Sequence, residues 1–380
     1  MTHVTEINNV EQLAGYRLLW RALLAETPLA SFFQSLDWLE VYWRHFGQSQ
    51  KLRVLVVESE GRPLGIVPLV VRTERYRVGP VRVLTYPLDD WGTFYSPLGS
   101  QPAATLAAAM GHVRRTHRDW DLLDLRWVDR LRTDRGQTQC ALDAVGLRSR
   151  EQTWDEAAIV DLASTWDEYW ASRDTHWRTN VRRSEKKLAA RGTVQYVRYR
   201  PEGAARDDAD PRWDLYEMCL EIAQQSWQGA VTNGTTISHD AVRAYLRDTH
   251  LAAARAGAVD LNLLLLDGQP AAFAYNYHYQ GHIYGLRMGY DAGVTRDGVG
   301  SVLVHRMLQD SFERGDQVFD MGPGSQRCKR HWRTHAVPSY HYIHFPATAV
   351  RAQALRLQRH VKSWLGVSSQ RETTAKEITA

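Results

Sequence analysis

Residues 261–275 read L-N-L-L-L-L-D-G-Q-P-A-A-F-A-Y, and residues 52–69, far upstream, read L-R-V-L-V-V-E-S-E-G-R-P-L-G-I-V-P-L. Each is an apolar run, an acidic residue followed by Gly-x-Pro, and a second apolar run. A glycine turn between two β-rich runs is the signature of a hairpin. Two hairpins of one pattern suggest an internal duplication. Short hairpins can also coincide by chance, so the order of elements around them has to decide.

Working outward, the first hairpin is followed by strand patterns at 81–86 and 93–95, a helix over 102–117, a strand at 122–127 and a helix over 137–145. The second is followed by a strand at 282–290, a helix over 299–314, and strands at 318–321 and 339–345. Both halves thus run hairpin, strand, helix, strand. Between them the chain predicts a strand at 157–162 and helices over 166–171, 176–191, 214–226 and 239–256, with a Pro, Gly and Asp-rich surface loop at 201–211. A helix over 348–365 closes the fold, and a polar tail follows from Gly366. The expected class is α/β (α+β): two sister domains, each a mixed sheet flanked by helices. The expected boundaries are 1–155, 156–347 and a closing helix and tail over 348–380.

Composition agrees with two ordinary globular domains. The chain has 380 residues, 44% apolar and 24% charged, and a net charge of +4. That excess is far below what a duplex-DNA binder shows. No apolar run reaches the length of a membrane-spanning helix, and the first residues lack the pattern of a secretory signal, so a cytoplasmic protein is expected. Three cysteines, Cys140, Cys219 and Cys328, are too few to staple a fold. No Ser-His-Asp motif, Gly-Lys-Ser/Thr phosphate loop or dinucleotide fingerprint is present.

The stretch that carries chemistry is Phe319-Asp320-Met321-Gly322-Pro323-Gly324, with Lys329, His331 and Trp332 close behind. A strand that ends in glycines exposes main-chain groups, and an ammonium a few residues later can reach the same space. Together they suit a developing oxyanion at a carbonyl. The alternative is a plain turn with a solvated lysine. Asp320 is either a base for an amine nucleophile or a carboxylate bonded to nearby amides.

This order, F-D-M-G-P-G and then C-K-R-H-W, resembles the closing motif of the CelD-like branch of the GNAT N-acyltransferases, relatives of the Fem-type aminoacyltransferases. The resemblance runs from Ser31 to about Phe345 and implies tandem GNAT-like domains, the first on the acceptor side and the second holding the donor. It implies acyl transfer from an acyl-CoA thioester, a co-substrate and not a tightly bound cofactor, to an amine. The alternative donor is an aminoacyl-tRNA. By resemblance Lys329 lies near the reacting carbonyl, Trp332 lines the substrate channel, and Asp89 and Asp90 attract a cationic amine on a small molecule or peptide. His331, next to the lysine, is a base candidate.

Three further features bear on ligands. Gly298, Gly300 and Ser301 open a helix just after the strand that ends at Tyr290, and free N–H groups there suit a pyrophosphate. The usual coenzyme A signature has Gln or Arg three places before the first glycine of its pair; here Asp297 stands three before Gly300. A glycine-capped helix with no ligand is the alternative. The helix over 176–191 is basic, with Arg178, Arg182 and Lys186 on one face, able to meet phosphates or only to face solvent. Cys328, His331, His335, His341 and His344 have spacings that suit zinc, but alternation along the strand puts His341 and His344 on opposite faces, so no metal is expected.

Overall fold

The turns Glu60–Gly61 and Asp267–Gly268 have φ of +53° and +73° in the first and +50° and +77° in the second. Positive φ at both positions gives the two-residue turn whose twist matches antiparallel strands. Two places beyond each glycine stands a proline, Pro63 or Pro270. The register slips at the same point in both hairpins, between Val57 and Glu58 and between Leu264 and Leu265. Proline has no N–H to give the ladder, so a bulge beside it is the local solution. The likeness of the two sequences therefore extends to backbone sign and register.

The computed structural model describes residues 2–226, 236–324 and 326–364. They divide into one unit built from the residues up to Asp155 and from Pro338 onward, and a second built from Glu156–Val337. The strands are β1 Thr2–Ile7, β2 Gln50–Ser59, β3 Arg62–Tyr76, β4 Gly79–Thr85, β5 Leu122–Val128, β6 Arg150–Asp161, β7 Val194–Tyr199, β8 Val259–Leu266, β9 Gln269–Tyr279, β10 His282–Tyr290, β11 Val318–Asp320 and β12 His335–His344. In the first unit the order is β1-β2-β3-β4-β5-β12, and in the second β7-β8-β9-β10-β11-β6. Within each unit the strands pair antiparallel except for one parallel pair, β4 with β5 and β10 with β11. The two units repeat one topology, a mixed sheet with helices, and the fold is α/β (α+β).

Side chains alternate across β9 as the period of two requires. Ala272 and Ala274 join the core formed with Val302, Leu303 and Leu308 of the helix Val299–Glu313 and with Val181 and Leu188 of the helix Thr175–Arg191. On the opposite face Tyr275 meets Tyr216 and His250 of the helices Trp213–Gln225 and Asp240–Arg255. In the first unit Leu355 of the closing helix Val350–Trp364 packs on Val81, Val83, Leu122 and Ile343.

Several expectations are corrected. Residues 93–95 form no strand, because Phe94 adopts φ +57° and breaks the extension. The last strand and the closing helix belong to the first unit and not to the second half or to a separate tail, since β12 hydrogen-bonds to β5. The edge strands β1 and β7 were not expected at all. Gly366 onward lies outside the described residues. Among the described residues no helix is long and apolar enough to cross a membrane.

Candidate active site

β10 and β11 run side by side for three pairs, from His282–Val318 to Tyr284–Asp320. Two glycines stand where they part. A Cβ on Gly322 would come 3.2 Å from the Gly285 carbonyl oxygen, and one on Gly285 would come 3.1 Å from the Asp320 carbonyl oxygen. Gly322 also turns with φ +75°, which an L side chain resists. Beyond Gly285 the pairing of β10 with β9 slips before Arg287, so β10 bends at this place. The strands open into a wedge.

Lys329 returns to that wedge. Its Nζ donates to the Gly322 carbonyl at 2.8 Å and to the Pro323 carbonyl at 2.6 Å. The short helix that carries it, Gln326–Lys329, is tied down on both sides: Gln326 Nε2 donates to the Glu156 carbonyl at 2.8 Å, and Arg333 Nη1 donates to Gln326 Oε1 at 2.8 Å. Tyr169 Oη donates to the Trp332 carbonyl at 2.6 Å and Arg173 Nη1 to the Arg333 carbonyl at 2.7 Å. Burial pushes the Lys329 ammonium down to about 8, against the opposing pull of Asp320 and Cys328. A lysine so placed is mainly a cation at neutral pH.

The glycine loop is not the row of open donors its sequence suggests. The Gly322 N–H donates to Asp320 Oδ1 at 2.7 Å, and the carbonyls of Gly322 and Pro323 face the lysine. The left-handed turn at Gly322 folds its amide back over the preceding carboxylate. Asp320 thus makes the bond to a nearby amide, and its side chain is buried. Gly324, at φ +105°, has nothing within 4 Å of a built Cβ.

Trp332 is a core residue, 4% exposed, stacked near Trp170 at 6.1 Å and edge-on to Trp177 at 5.4 Å. The turn after Lys329 points the indole into this core. His331 stacks flat on Trp177 at 4.4 Å and its Nε2 accepts from Arg330 Nε at 3.2 Å. Burial, and then Arg330, lower its basicity.

The glycines that open the helix Val299–Glu313 meet the basic helix. A Cβ on Gly298, at φ +76°, would lie 2.3 Å from Ser184 Oγ, and one on Gly300 would lie 3.1 Å from Tyr290 Cδ1. Asp297 pairs with Arg191 of the basic helix. Glu185 pairs with His305 and Arg306. Asp174 caps the basic helix by accepting from Trp177 N at 2.8 Å. Arg182, Arg183, Lys186 and Lys187 stay exposed along it. The helix start and the cationic helix, separate features in the sequence, are thus neighbours, and the Ser301 N–H is turned back to the Gly298 carbonyl at 3.0 Å.

Asp89 and Asp90 belong to the first unit. Asp89 pairs with Arg72 at 3.0 Å and its carbonyl accepts from Trp127 Nε1 at 2.6 Å, so its charge is already matched; Asp90 is exposed. Of the histidines, His341 Nδ1 meets Asp124 Oδ1 at 2.9 Å and His344 Nδ1 meets the Arg148 carbonyl at 2.8 Å. Among the described residues no three His, Cys, Asp or Glu side chains converge as a metal site. Sequence reading missed Gly285, Ser184 and Trp177. Only the last carried a signal, its helical spacing from Val181.

Residues 175–330 match the acetyltransferase (GNAT) domain family. No curated protein matches the chain. Among solved structures, FemX is similar over 94% of this chain and 99% of its own, with a TM-score of 0.59 at 12% identity. The C-terminal domain of a putative lysylphosphatidylglycerol synthetase from Agrobacterium fabrum is similar over 93% of this chain and 98% of its own, with a TM-score of 0.54 at 14% identity. A conserved protein of unknown function from Bacteroides thetaiotaomicron is similar over 91% and 100%, with a TM-score of 0.53 at 11% identity. At these identities the likeness speaks for the fold.

Proposed function

We propose that this chain, a GNAT-superfamily acyltransferase with the fold of the Fem-type enzymes, moves an acyl group from a coenzyme A thioester to an amine by direct attack. The observation that carries the reading is the amine of Lys329 held at the parting of β10 and β11 by two carbonyls. An ammonium has three N–H bonds, and two are spent there. The third is left to donate to the oxygen of the reacting carbonyl, whose charge grows as the acceptor nitrogen attacks. Stabilising that charge more than the ground state is what speeds the step.

The other residues take supporting roles. Asp320 holds the Gly322 amide and keeps the lysine charged. His331, whose basicity is lowered, is neutral at neutral pH and takes at its Nε2, once Arg330 releases that atom, the proton that the acceptor nitrogen sheds. Gly298 and Gly300 by their backbone, and Ser301 by its hydroxyl because its N–H is spent on Gly298, seat the donor's phosphates beside Arg182 and its helix, with Gly322 and Gly324 shaping the loop and Tyr290 bordering the helix start. Trp332 supports the site from beneath it. Asp89 and Asp90 are proposed to help attract a cationic small-molecule or peptide amine, Asp90 being the one whose charge is exposed. Both donor classes considered are cytoplasmic, and the chain is placed there with them.

A second reading keeps the chemistry and changes the donor to an aminoacyl-tRNA. The row of exposed Arg182, Arg183, Lys186 and Lys187 favours it, since such a row suits a phosphate backbone. Titrating acetyl-CoA to millimolar concentration separates the two. A ligand present at about a hundred times its Kd stabilises the fold by about 2.7 kcal/mol, a rise in Tm that is readily measured. No rise would remove the coenzyme A reading and leave the tRNA one.

A further inference from the structure

We infer that Lys329 is itself an acylation site: when no amine acceptor is present, its Nζ takes the acyl group from the bound donor. The inference rests on the acyl-transfer reading above and adds a second fate for the same group.

The geometry carries it. A tetrahedral amine nitrogen has four directions; at Lys329 one holds Cε and two are aimed at the Gly322 and Pro323 carbonyls, 2.8 and 2.6 Å away. The fourth is an N–H when the lysine is charged and a lone pair when it is neutral. One fixed direction therefore serves as hydrogen-bond donor to a carbonyl oxygen in one protonation state and as nucleophile in the other. The two carbonyl anchors and the tied helix Gln326–Lys329 hold that direction, so attack needs little reorganisation.

The charged and titratable groups acting on the amine are Asp320, from β11, and Cys328, from its own helix; both favour the ammonium, and burial outweighs them. With the pKa at about 8, about one-tenth of the chains carry a neutral Lys329 near pH 7 and about nine-tenths near pH 9. The reaction balances without another reagent. The Nζ lone pair forms the C–N bond at the thioester carbonyl carbon, the C–S bond breaks, coenzyme A leaves as the thiolate, and the proton shed by nitrogen goes to that thiolate or to water. The resulting amide keeps one N–H and no charge. It can no longer hold both carbonyls or stabilise an oxyanion, so the acylated chain is inactive. An acceptor amine protects by consuming the donor first.

Full-length protein is incubated with millimolar acetyl-CoA and no acceptor near pH 7 and near pH 9, and the modified peptides are read by mass spectrometry. One acetyl group on Lys329, gained about tenfold faster near pH 9 and in step with loss of transfer activity, is expected. The exposed Lys186 and Lys187 serve as internal controls and lag behind. K329R removes the fast phase. Labelling of Lys329 no faster than of Lys186 and Lys187, or activity that survives full acetylation of Lys329, overturns the inference. A Tm raised by acetyl-CoA with Lys329 unmodified overturns it while leaving the donor reading intact. If acetyl-CoA gives no Tm rise, the donor reading fails and p-nitrophenyl acetate, which needs no phosphate seat, replaces it; preferential labelling of Lys329 then supports the inference, and uniform labelling overturns it.

Discussion

Gly322 and Gly285 approach so closely just beyond the last paired rung of β10 and β11 that a Cβ on Gly322 would stand 3.2 Å from the Gly285 carbonyl oxygen. The same Gly322 supplies the carbonyl that accepts from Lys329 and the N–H that Asp320 accepts. Packing at the wedge and anchoring of the Lys329 amine therefore depend on one residue.

Gly322→Ala tests that dependence. Its φ of +75° penalises any side chain by about 1 kcal/mol, and the tight contact adds to it. The larger effect is expected on turnover, because a shift of even 1 Å in a positioned group costs about a hundredfold. Gly324→Ala, also at positive φ but with nothing near its Cβ, keeps most activity while showing a smaller loss of stability. Equal activity losses in the two variants, measured as kcat beside urea midpoints, would contradict the assignment.

The pH profile follows from the Lys329 value of about 8. A donor to an oxyanion must be protonated, so kcat is expected to fall as pH rises through about 8. Stability moves the other way. The folded pKa lies below the ordinary lysine value of 10.5, so the native chain binds fewer protons than the unfolded one between about 8 and 10.5. Stability accordingly rises with pH across that window, by at most about 3 kcal/mol. Lys329→Met, which removes the buried charge, should lose both the kcat limb and that rise.

How much of this was legible in the sequence depends on where the information lies. The acidic-Gly-x-Pro turns specify backbone sign and register locally, so the hairpins and most strand and helix limits could be read directly. β1 and β7 alternate weakly, as T-H-V-T-E-I and V-Q-Y-V-R-Y, because at the sheet edges neither of their faces is deeply buried, and this hides them. The direction of the Trp332 indole and the meeting of Gly298 with Ser184 are set by packing between distant segments. No window of sequence contains them. Lys329 was legible because the glycines that bring it into place precede it by only a few residues.

The first unit holds a buried ionic cluster in which Glu74 accepts from Arg126 twice at 2.8 Å and pairs with Arg72 at 2.7 Å, while Asp124 pairs with Arg126 at 2.8 Å. Glu74→Gln leaves two arginines facing each other without the carboxylate, and a loss of about 3–5 kcal/mol is expected. Burial raises the pKa values of Glu74 and Asp124, but the arginines outweigh it and hold both well below the usual range. Their contribution is therefore complete above the unfolded carboxylate values, near 4, and is lost as pH falls below them towards the folded values. Urea denaturation at descending pH should show a shallower acid decline in Glu74→Gln than in the parent chain.

The helix start at Gly298 offers a test of whether the basic helix serves the donor. A Cβ there would lie 2.3 Å from Ser184 Oγ and 2.9 Å from Ser184 Cβ. Gly298→Ala must therefore strain both the φ of +76° and the packing of the two helices. Ser184→Gly removes both atoms that clash but leaves the backbone penalty. In the double variant the clash part of the loss is expected to vanish, giving a coupling energy of about 1 kcal/mol or more between the sites. If the helix start seats the donor's phosphates, Gly298→Ala raises the donor KM more than it lowers kcat, and Ser184→Gly restores KM in the double variant. Should stability recover in the double variant while the donor KM stays unchanged throughout, the contact is purely structural and the phosphates are held elsewhere. Because the acceptor's KM should not respond to either change, the split between the two substrates separates a seat for the donor from a general loosening of the unit.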